Sequence, residues 1–390
     1  MTDDLHGNDS RPPPLAGVRV LDLSRLLPGP LCAQHLADLG AQVIKIEAPG
    51  AGDHARRSVR DLVNRGKLAL TLDLKSDEGR EVFFRLLADC DVVLDGFRPG
   101  VMDRLGLGYR ALAQRKASIV HCSITGYGQH GPRRDAAGHD INYLALSGVL
   151  DMTGRAGEPP ALPGFLLCDI LGGTLCAAMG ILAALLDARS TGRGRFIDVS
   201  MADAVMAHCV LPLAEYQDSG AVHARGTGSH TGGAPRYNVY ATRDGRYLAV
   251  GAQEKKFWDV LCDALQMPDL KRHHQPDAAQ AREVEARLRA AFARRDAQAW
   301  LALLEPLDCC VTPVLTFEEA LAQPGFRERG TVRPGNAQPA LVLGLPFVMS
   351  DLVSAAYRPA PAPGADTVRI LEQLGYAAGR IGALRARGVI

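Results

Sequence analysis

The N-terminal third of the chain alternates between two hydrophobic periods, and this constrains its fold more than any other feature. A β-branched, apolar run, 17-GVRVLDLS-24, is followed by 30-PLCAQHLADLG-40, whose apolar residues recur at helical spacing. A second strand pattern, 42-QVIKIEAPG-50, comes next. The unit recurs with 68-LALTLDL-74 as strand, 77-DEGREVFFRLLADC-90 as helix and 91-DVVLDGF-97 as strand, and 118-SIVHCSIT-125 adds another. Strands separated by helices of this length cannot pair as hairpins and must cross over. The expectation is therefore a parallel sheet in an α/β, Rossmann-like domain.

The rest of the chain reads differently. From Asp169 to about Gln217 it is mostly helical, with a short strand at 195-RFIDVS-200. The stretch 219-SGAVHARGTGSHTGGAP-235 breaks all periodicity and reads as a linker. A hairpin follows over 237-YNVYATRDGRYLAVGA-252, with Asp-Gly near its turn. Charged, Ala-rich helices occupy about 253–306, loops and short strands fill the C-terminal part, and a final helix begins near Asp366. The expected organisation is a lead-in over 1–14, a large domain over 15–218 and 331–390, a linker over 219–235, and a smaller α+β domain over 236–330.

Charge narrows the function classes. Lys and Arg number 44 against 43 Asp and Glu, and neither sign forms a block. This argues against a general nucleic-acid binder or a polybasic membrane anchor. The polar, Pro-rich start carries no apolar signal core, which suggests a cytoplasmic protein. The longest apolar run, 174-TLCAAMGILAALLDA-188, falls short of the roughly 18 residues of a membrane span and reads as a buried helix. Nine cysteines without a C-x-x-C pair indicate neither a zinc site nor a disulfide framework.

Several motifs fail on context. The segment 126-GYGQHG-131 satisfies G-x-G-x-x-G, but 132-PRRDAAGHD-140 follows it where a dinucleotide site needs a helix. No G-x-S-x-G elbow exists, and His273 and His274 lie in polar surroundings typical of solvated side chains.

Three ionisable residues remain. His139 stands between Gly138 and an apolar segment in 137-AGHDINYLALSGVL-150. Asp169 is set among Phe, Leu, Cys and Ile in 162-LPGFLLCDILGGT-174. A carboxylate buried there costs several kcal/mol unless paired or protonated, so it either caps a helix or does chemistry. Glu254 follows the strand 247-YLAVGA-252 at a helix start. None of the three decides a function alone.

Together with their flanks they resemble a family. The pieces 17-GVRVLDLSRLLPGP-30, 71-TLDLKSDEG-79, 96-GFRPGVMDRLGLG-108, 123-SITGYGQHGP-132, 192-GRGRFIDVSMADA-204, 245-GRYLAVGAQE-254 and 311-VTPVLTFEEAL-321 resemble the family III CoA-transferase superfamily. Within it, 138-GHDINYLALSGVL-150 resembles the α-methylacyl-CoA racemase branch. The resemblance implies that His139 and Asp169 transfer protons and that Glu254 partners the histidine. It implies that the CoA thioester runs along Leu72, Asp73, Leu74 and Lys75 and against Gly138, Asp140, Ile141, Asn142 and Tyr143. Arg98 would contact its phosphates, and backbone N–H groups near His139 and Asp140 would hold the enolate oxygen. An interlocked homodimer is implied too, with CoA part of the substrate and no other cofactor or metal.

The implied reaction is epimerisation of a 2-methylacyl-CoA, or a related 2-substituted acyl-CoA, by α-proton removal and return. A family III CoA-transferase, with Asp169 carrying CoA as an aspartyl thioester, is the alternative, and a non-catalytic acyl-CoA-binding protein a third. Phe165 stands where racemases usually have Asn four residues before the Asp, and Ala48 where many have Arg.

Overall fold

The computed structural model describes residues 11–50, 52–335, 341–352 and 357–390. Most of the expected lead-in, 1–10, lies outside the described residues. The chain forms two compact units. One contains the described residues up to Ser147 with Phe165–His208 and Gln323–Ile390; the other contains Gly148–Gly164 and Cys209–Ala322.

The first unit is built on the sheet that the alternation predicts. Its elements run β1 (Arg19–Asp22), α1 (Pro28–Asp38), β2 (Gln42–Glu47), β3 (Leu68–Thr71), α2 (Asp77–Ala88), β4 (Val92–Asp95) and β5 (Val120–Thr125). A long excursion then carries α3 (Asp140–Leu146), a π-helix (Cys168–Leu175) and α4 (Cys176–Thr191) before β6 (Phe196–Ser200) and α5 (Met201–Ala207). All six strands are parallel, in the order β3-β2-β1-β4-β5-β6. The order reverses at β1, so loops leaving β1 and β4 diverge and open a crevice at their carboxyl ends.

Burial of both sheet faces explains the near-continuous apolar strands. Leu21, Ile44, Leu70 and Val93 pack with Phe83 and Leu87 of α2 and with Ile370 and Leu371 from the C-terminal helix Thr367–Gln373. Asp366, just before that helix, accepts Ala69 N–H at 2.9 Å and donates its own N–H to Ala69 O, which ties the C-terminal segment to the edge strand β3.

The second unit carries β7 (Tyr237–Ala241), β8 (Tyr247–Gly251), α6 (Lys255–Ala264) and β9 (Val311–Pro313), the strands forming an antiparallel sheet. Its core gathers Tyr240, Leu248, Trp258, Phe292 and Trp300. The division differs from the expected one: 148–164 and 209–218 join this unit, and 323–330 join the first. The cause is non-local. Arg225, inside the expected linker, donates to Asp151 O at 2.7 Å, to Asp151 Oδ1 at 2.8 Å and to the Glu158 carbonyl. The segment 219–235 is thus anchored within the second unit.

One expectation is corrected outright. The π-helix and α4 form a continuous 24-residue helical segment, Cys168–Thr191, with a mean hydropathy of 1.9 over its most apolar window. By length and composition it is long enough to cross a membrane, although Asp169 interrupts the apolar run in sequence. Nor is it the buried helix that was expected: Met179 is 65% and Leu186 70% exposed.

Candidate active site

The crevice at the carboxyl ends of β1, β4 and β5 is a cavity of about 450 Å³. Ser24, Arg25 and Leu26 line it from the β1 exit, Phe97 and Arg98 from the β4 exit, and Gly126 and Tyr127 from the β5 exit. Gly138, His139, Asn142, Tyr143 and Asp169 complete it from the excursion between β5 and β6. His139 and Asp169, thirty positions apart in the chain, therefore face one space within one unit.

His139 is the N-cap of α3, in extended backbone, and is exposed. Asn142 Oδ1 accepts its backbone N–H at 3.0 Å, while its carbonyl accepts Asn142 N–H at 2.8 Å. This reciprocal grip fixes the backbone from which the imidazole projects. Tyr143, buried behind it, donates its hydroxyl to Gly138 O at 2.5 Å and meets the Tyr127 ring edge-on, centroids 5.1 Å apart. A Cβ at Gly138 would stand 2.7 Å from both Tyr127 Oη and Tyr143 Cε1, so only glycine lets the chain pass this close to the two rings. Burial, then the neighbouring Tyr127 and Asp169, push the Tyr143 hydroxyl up to about 12, so it stays a neutral donor.

Asp169 sits in the first turn of the π-helix, a geometry often found where a helix carries function. It is not the N-cap, so the capping explanation for its apolar setting does not hold. Gly172 and Gly173 let the π-helix lie against α5 and the start of α1: a Cβ on them would meet Met201 O at 2.7 Å and Pro28 Cβ at 2.6 Å. Buried Asp140 accepts Asp169 N–H on its Oδ1 at 2.9 Å. Burial chiefly, with the Asp140 charge adding to it and His139 opposing it, raises the Asp169 carboxyl to about 6. The cavity thus holds an imidazole together with a carboxyl whose hold on its proton is raised to about 6, the two kinds of group that proton transfer uses.

The other expected residues fall in different places. Asp140 lies beneath the cavity and acts through Asp169, and Ile141 points outward on the exposed flank of α3. The His139 N–H, expected as an enolate donor, is already bonded to Asn142 Oδ1. Leu72, Asp73, Leu74 and Lys75 do not line the cavity but form the turn leaving β3. Asp73 N–H donates to Val389 O at 2.8 Å, Asp73 Oδ1 accepts Lys75 N–H at 3.0 Å, and the Lys75 side chain is exposed. Glu254 belongs to the second unit, where it is the exposed N-cap of α6.

Sequence reasoning missed Arg25, Arg134, Leu26 and Tyr127. Arg25 stands 5.3 Å over the Phe97 ring and with Arg98 and Arg134 makes the cavity wall cationic. Its position directly before Leu-Leu-Pro-Gly-Pro at a strand exit was the available signal. Phe165 is 55% exposed and does not line the cavity. Among the described residues no cluster of three or more His, Cys, Asp or Glu side chains is arranged to hold a metal.

The CoA-transferase family III model matches residues 15–367. The chain is 37% identical to the human (Homo sapiens) α-methylacyl-CoA racemase over 96% of its own length and 97% of that protein's. It is also 33% identical to the mouse (Mus musculus) succinyl-CoA:glutarate CoA-transferase, over 97% and 90% of the two chains. Among solved structures, a CAIB/BAIF family protein from Brucella suis superposes with a TM-score of 0.82 at 27% identity, covering 93% of this chain and 100% of that one.

Proposed function

The chain belongs to CoA-transferase family III, and from that premise we propose that it epimerises 2-methylacyl-CoA, or a related 2-substituted acyl-CoA, at C2. The observation that carries this reading is the pairing of His139 with a carboxyl raised to about 6, Asp169, in one cavity. A racemase must remove a proton from one face of the α-carbon and return one from the other, which takes two groups on opposite sides. One accepts the proton while the other, protonated, delivers its own; the reverse reaction exchanges the roles. The α-proton is far less acidic than either group, so the developing enolate oxygen needs a donor. In this reading the Asp140 N–H, in the first turn of α3 next to the histidine, supplies it.

The arginines of the wall fit the anionic end of a CoA thioester, and the exposed Lys75 at the β3 exit extends that charge along the carboxyl edge of the sheet. In the homodimer that the family resemblance implies, Glu254 supports the imidazolium of the second copy's His139. The exposed apolar face of α4, with Leu175, Met179 and Leu186, is suited to burial by such a copy.

The CoA-transferase relatives support a second reading. There the Asp169 carboxylate attacks the thioester carbonyl and expels CoA thiolate, giving a mixed anhydride. The thiolate then attacks the aspartyl carbonyl, releasing the carboxylic acid and leaving CoA on Asp169. His139 has no task in that sequence, which is why its place in the cavity favours the epimerase. Incubation with a 2-methylacyl-CoA in D₂O separates the readings. Deuterium entry at C2 without an acceptor acid supports epimerisation, and CoA movement only with an acceptor acid supports transfer. Binding with neither supports a non-catalytic acyl-CoA-binding protein.

A further inference from the structure

The cavity wall formed by the β1 exit is gripped from behind by side chains of four other segments. Asp22 Oδ1 accepts Ser24 N–H at 3.0 Å, and the Lys45 ammonium, 1% exposed, donates to the Ser24 carbonyl. Asp53 Oδ1 accepts Leu26 N–H at 2.9 Å. Thr174 Oγ1 donates to Pro28 O at 2.8 Å, and Lys67 Nζ donates to Pro30 O at 2.8 Å. Every second residue from Ser24 to Pro30 thus has a backbone group held by a side chain outside the wall.

The grip rests on a cluster of buried charge. Lys67 Nζ pairs with Asp22 Oδ2 at 2.9 Å, and Lys45 Nζ lies 3.9 Å from Asp22 Oδ2 and 3.6 Å from Asp53 Oδ2. These side chains are fully buried or nearly so. Taking four charges out of water costs stability even when they balance, so this cluster is a poor device for stability alone.

What it holds is strained. Leu26 has φ +66°, in the left-handed region that a side chain with a Cβ avoids, and its side chain lines the cavity at 46% exposure. Left to its own preferences the segment would move Leu26 to negative φ and carry Arg25 and Leu26 out of their present positions.

We infer that Asp53, by holding Leu26 N–H and pairing with Lys45, is a positioning residue that keeps the Arg25–Leu26 wall in the shape that binds the acyl thioester. The acyl thioester as ligand rests on the function proposed above; the epimerisation chemistry does not enter the clamp. A wall that is competent only part of the time weakens apparent affinity by that fraction and leaves turnover of the bound complex unchanged.

A double-mutant cycle on 2-methyldecanoyl-CoA, read as Kd by titration calorimetry and as kcat by C2 deuterium exchange, tests this. Asp53→Ala is expected to raise Kd about tenfold with kcat within about twofold of wild type, the factor set by the left-handed penalty at Leu26. In a Leu26→Gly background, where positive φ carries no penalty, Asp53→Ala should raise Kd less than about threefold. If Asp53→Ala does not fold, Asp53→Asn carries the same cycle: a smaller rise in Kd, again relieved by Leu26→Gly.

Equal losses in both backgrounds, a loss confined to kcat, or an unchanged Kd would each overturn the inference. Wild-type protein that binds the thioester but exchanges no deuterium would overturn the epimerase reading, while the cycle in Kd still judges the clamp. Wild-type protein that does not bind the thioester would overturn both.

Discussion

Asp140 Oδ1 holds the backbone N–H of Asp169 at 2.9 Å, and the charge of Asp140 helps to raise the carboxyl of the residue it holds. One buried side chain thus sets both where Asp169 sits and how tightly it keeps its proton. Asp140→Asn retains an oxygen for the hydrogen bond but removes the charge. It should move the Asp169 titration, followed by ¹³C NMR of labelled Asp, to lower pH. His139→Ala removes the opposing influence and should move it higher. The same direction of shift in both variants would contradict this account of the pair.

Gly138 is a second sharp test. Its added Cβ would stand 2.7 Å from Tyr127 Oη and Tyr143 Cε1, so Gly138→Ala must displace the chain one residue before His139. Misplacing a proton-transfer group by about 1 Å costs up to about 100-fold, so kcat for C2 exchange should fall about 10- to 100-fold. Tyr143→Phe removes the hydroxyl bonded to Gly138 O and should lower stability by about 1 kcal/mol, measured by urea unfolding. Wild-type kcat in Gly138→Ala would show that the position of His139 does not matter to the reaction.

The raised Asp169 carboxyl has a signature in stability. Its proton is held more tightly in the folded chain than in the unfolded one, where the carboxyl titrates near 4. That contribution is fully present below about pH 4 and is lost as pH rises through about 6. Above that the ionised group weakens the fold by on the order of 1–3 kcal/mol. Asp169→Asn, abolishing exchange, should therefore raise Tm by about 1–4 °C at pH 8 and by almost nothing at pH 4. An equal effect at both pH values would mean that Asp169 is not destabilised by its surroundings.

The exposed face of α4 bears on assembly. With Met179 65% and Leu186 70% exposed on a helix this apolar, sedimentation at micromolar concentration should report a homodimer. Burying a Met side chain is worth about 1.5–3 kcal/mol, so Met179→Glu should weaken the dimer at least tenfold. A wild-type monomer would leave that face, and the proposed route from Glu254 to His139, without support.

Sequence made parts of this legible and hid others for physical reasons. The strands of the first unit could be placed closely because sheets buried on both faces demand unbroken β-branched runs, as in 91-DVVLDGF-97. His139 stood out as a polar group at the edge of an apolar segment, and Asp169 as one inside such a segment. The Cys168–Thr191 segment was read too short because Asp169 and the Gly172–Gly173 pair break a 3.6-residue pattern just where the chain turns as a π-helix. No helix directly follows the motif 126-GYGQHG-131, yet its Gly126 and Tyr127 line the cavity. Lys45 and Lys67 gave no warning at all: a lysine within a strand pattern or just before one reads as facing solvent, and only the tertiary arrangement pairs them with Asp22 and Asp53. The membership of 148–164 in the second unit depends on Arg225, more than sixty residues away in the chain.

The central claim is that His139 and Asp169 together move the α-proton of an acyl-CoA. The most direct measurement is deuterium incorporation at C2 of 2-methyldecanoyl-CoA in D₂O, without an acceptor acid, for wild type, His139→Ala and Asp169→Ala. Wild type should exchange, and each single variant should lose about 100-fold or more, because a general acid or base contributes about 10²–10⁴-fold. Exchange at the wild-type rate in both variants would contradict it.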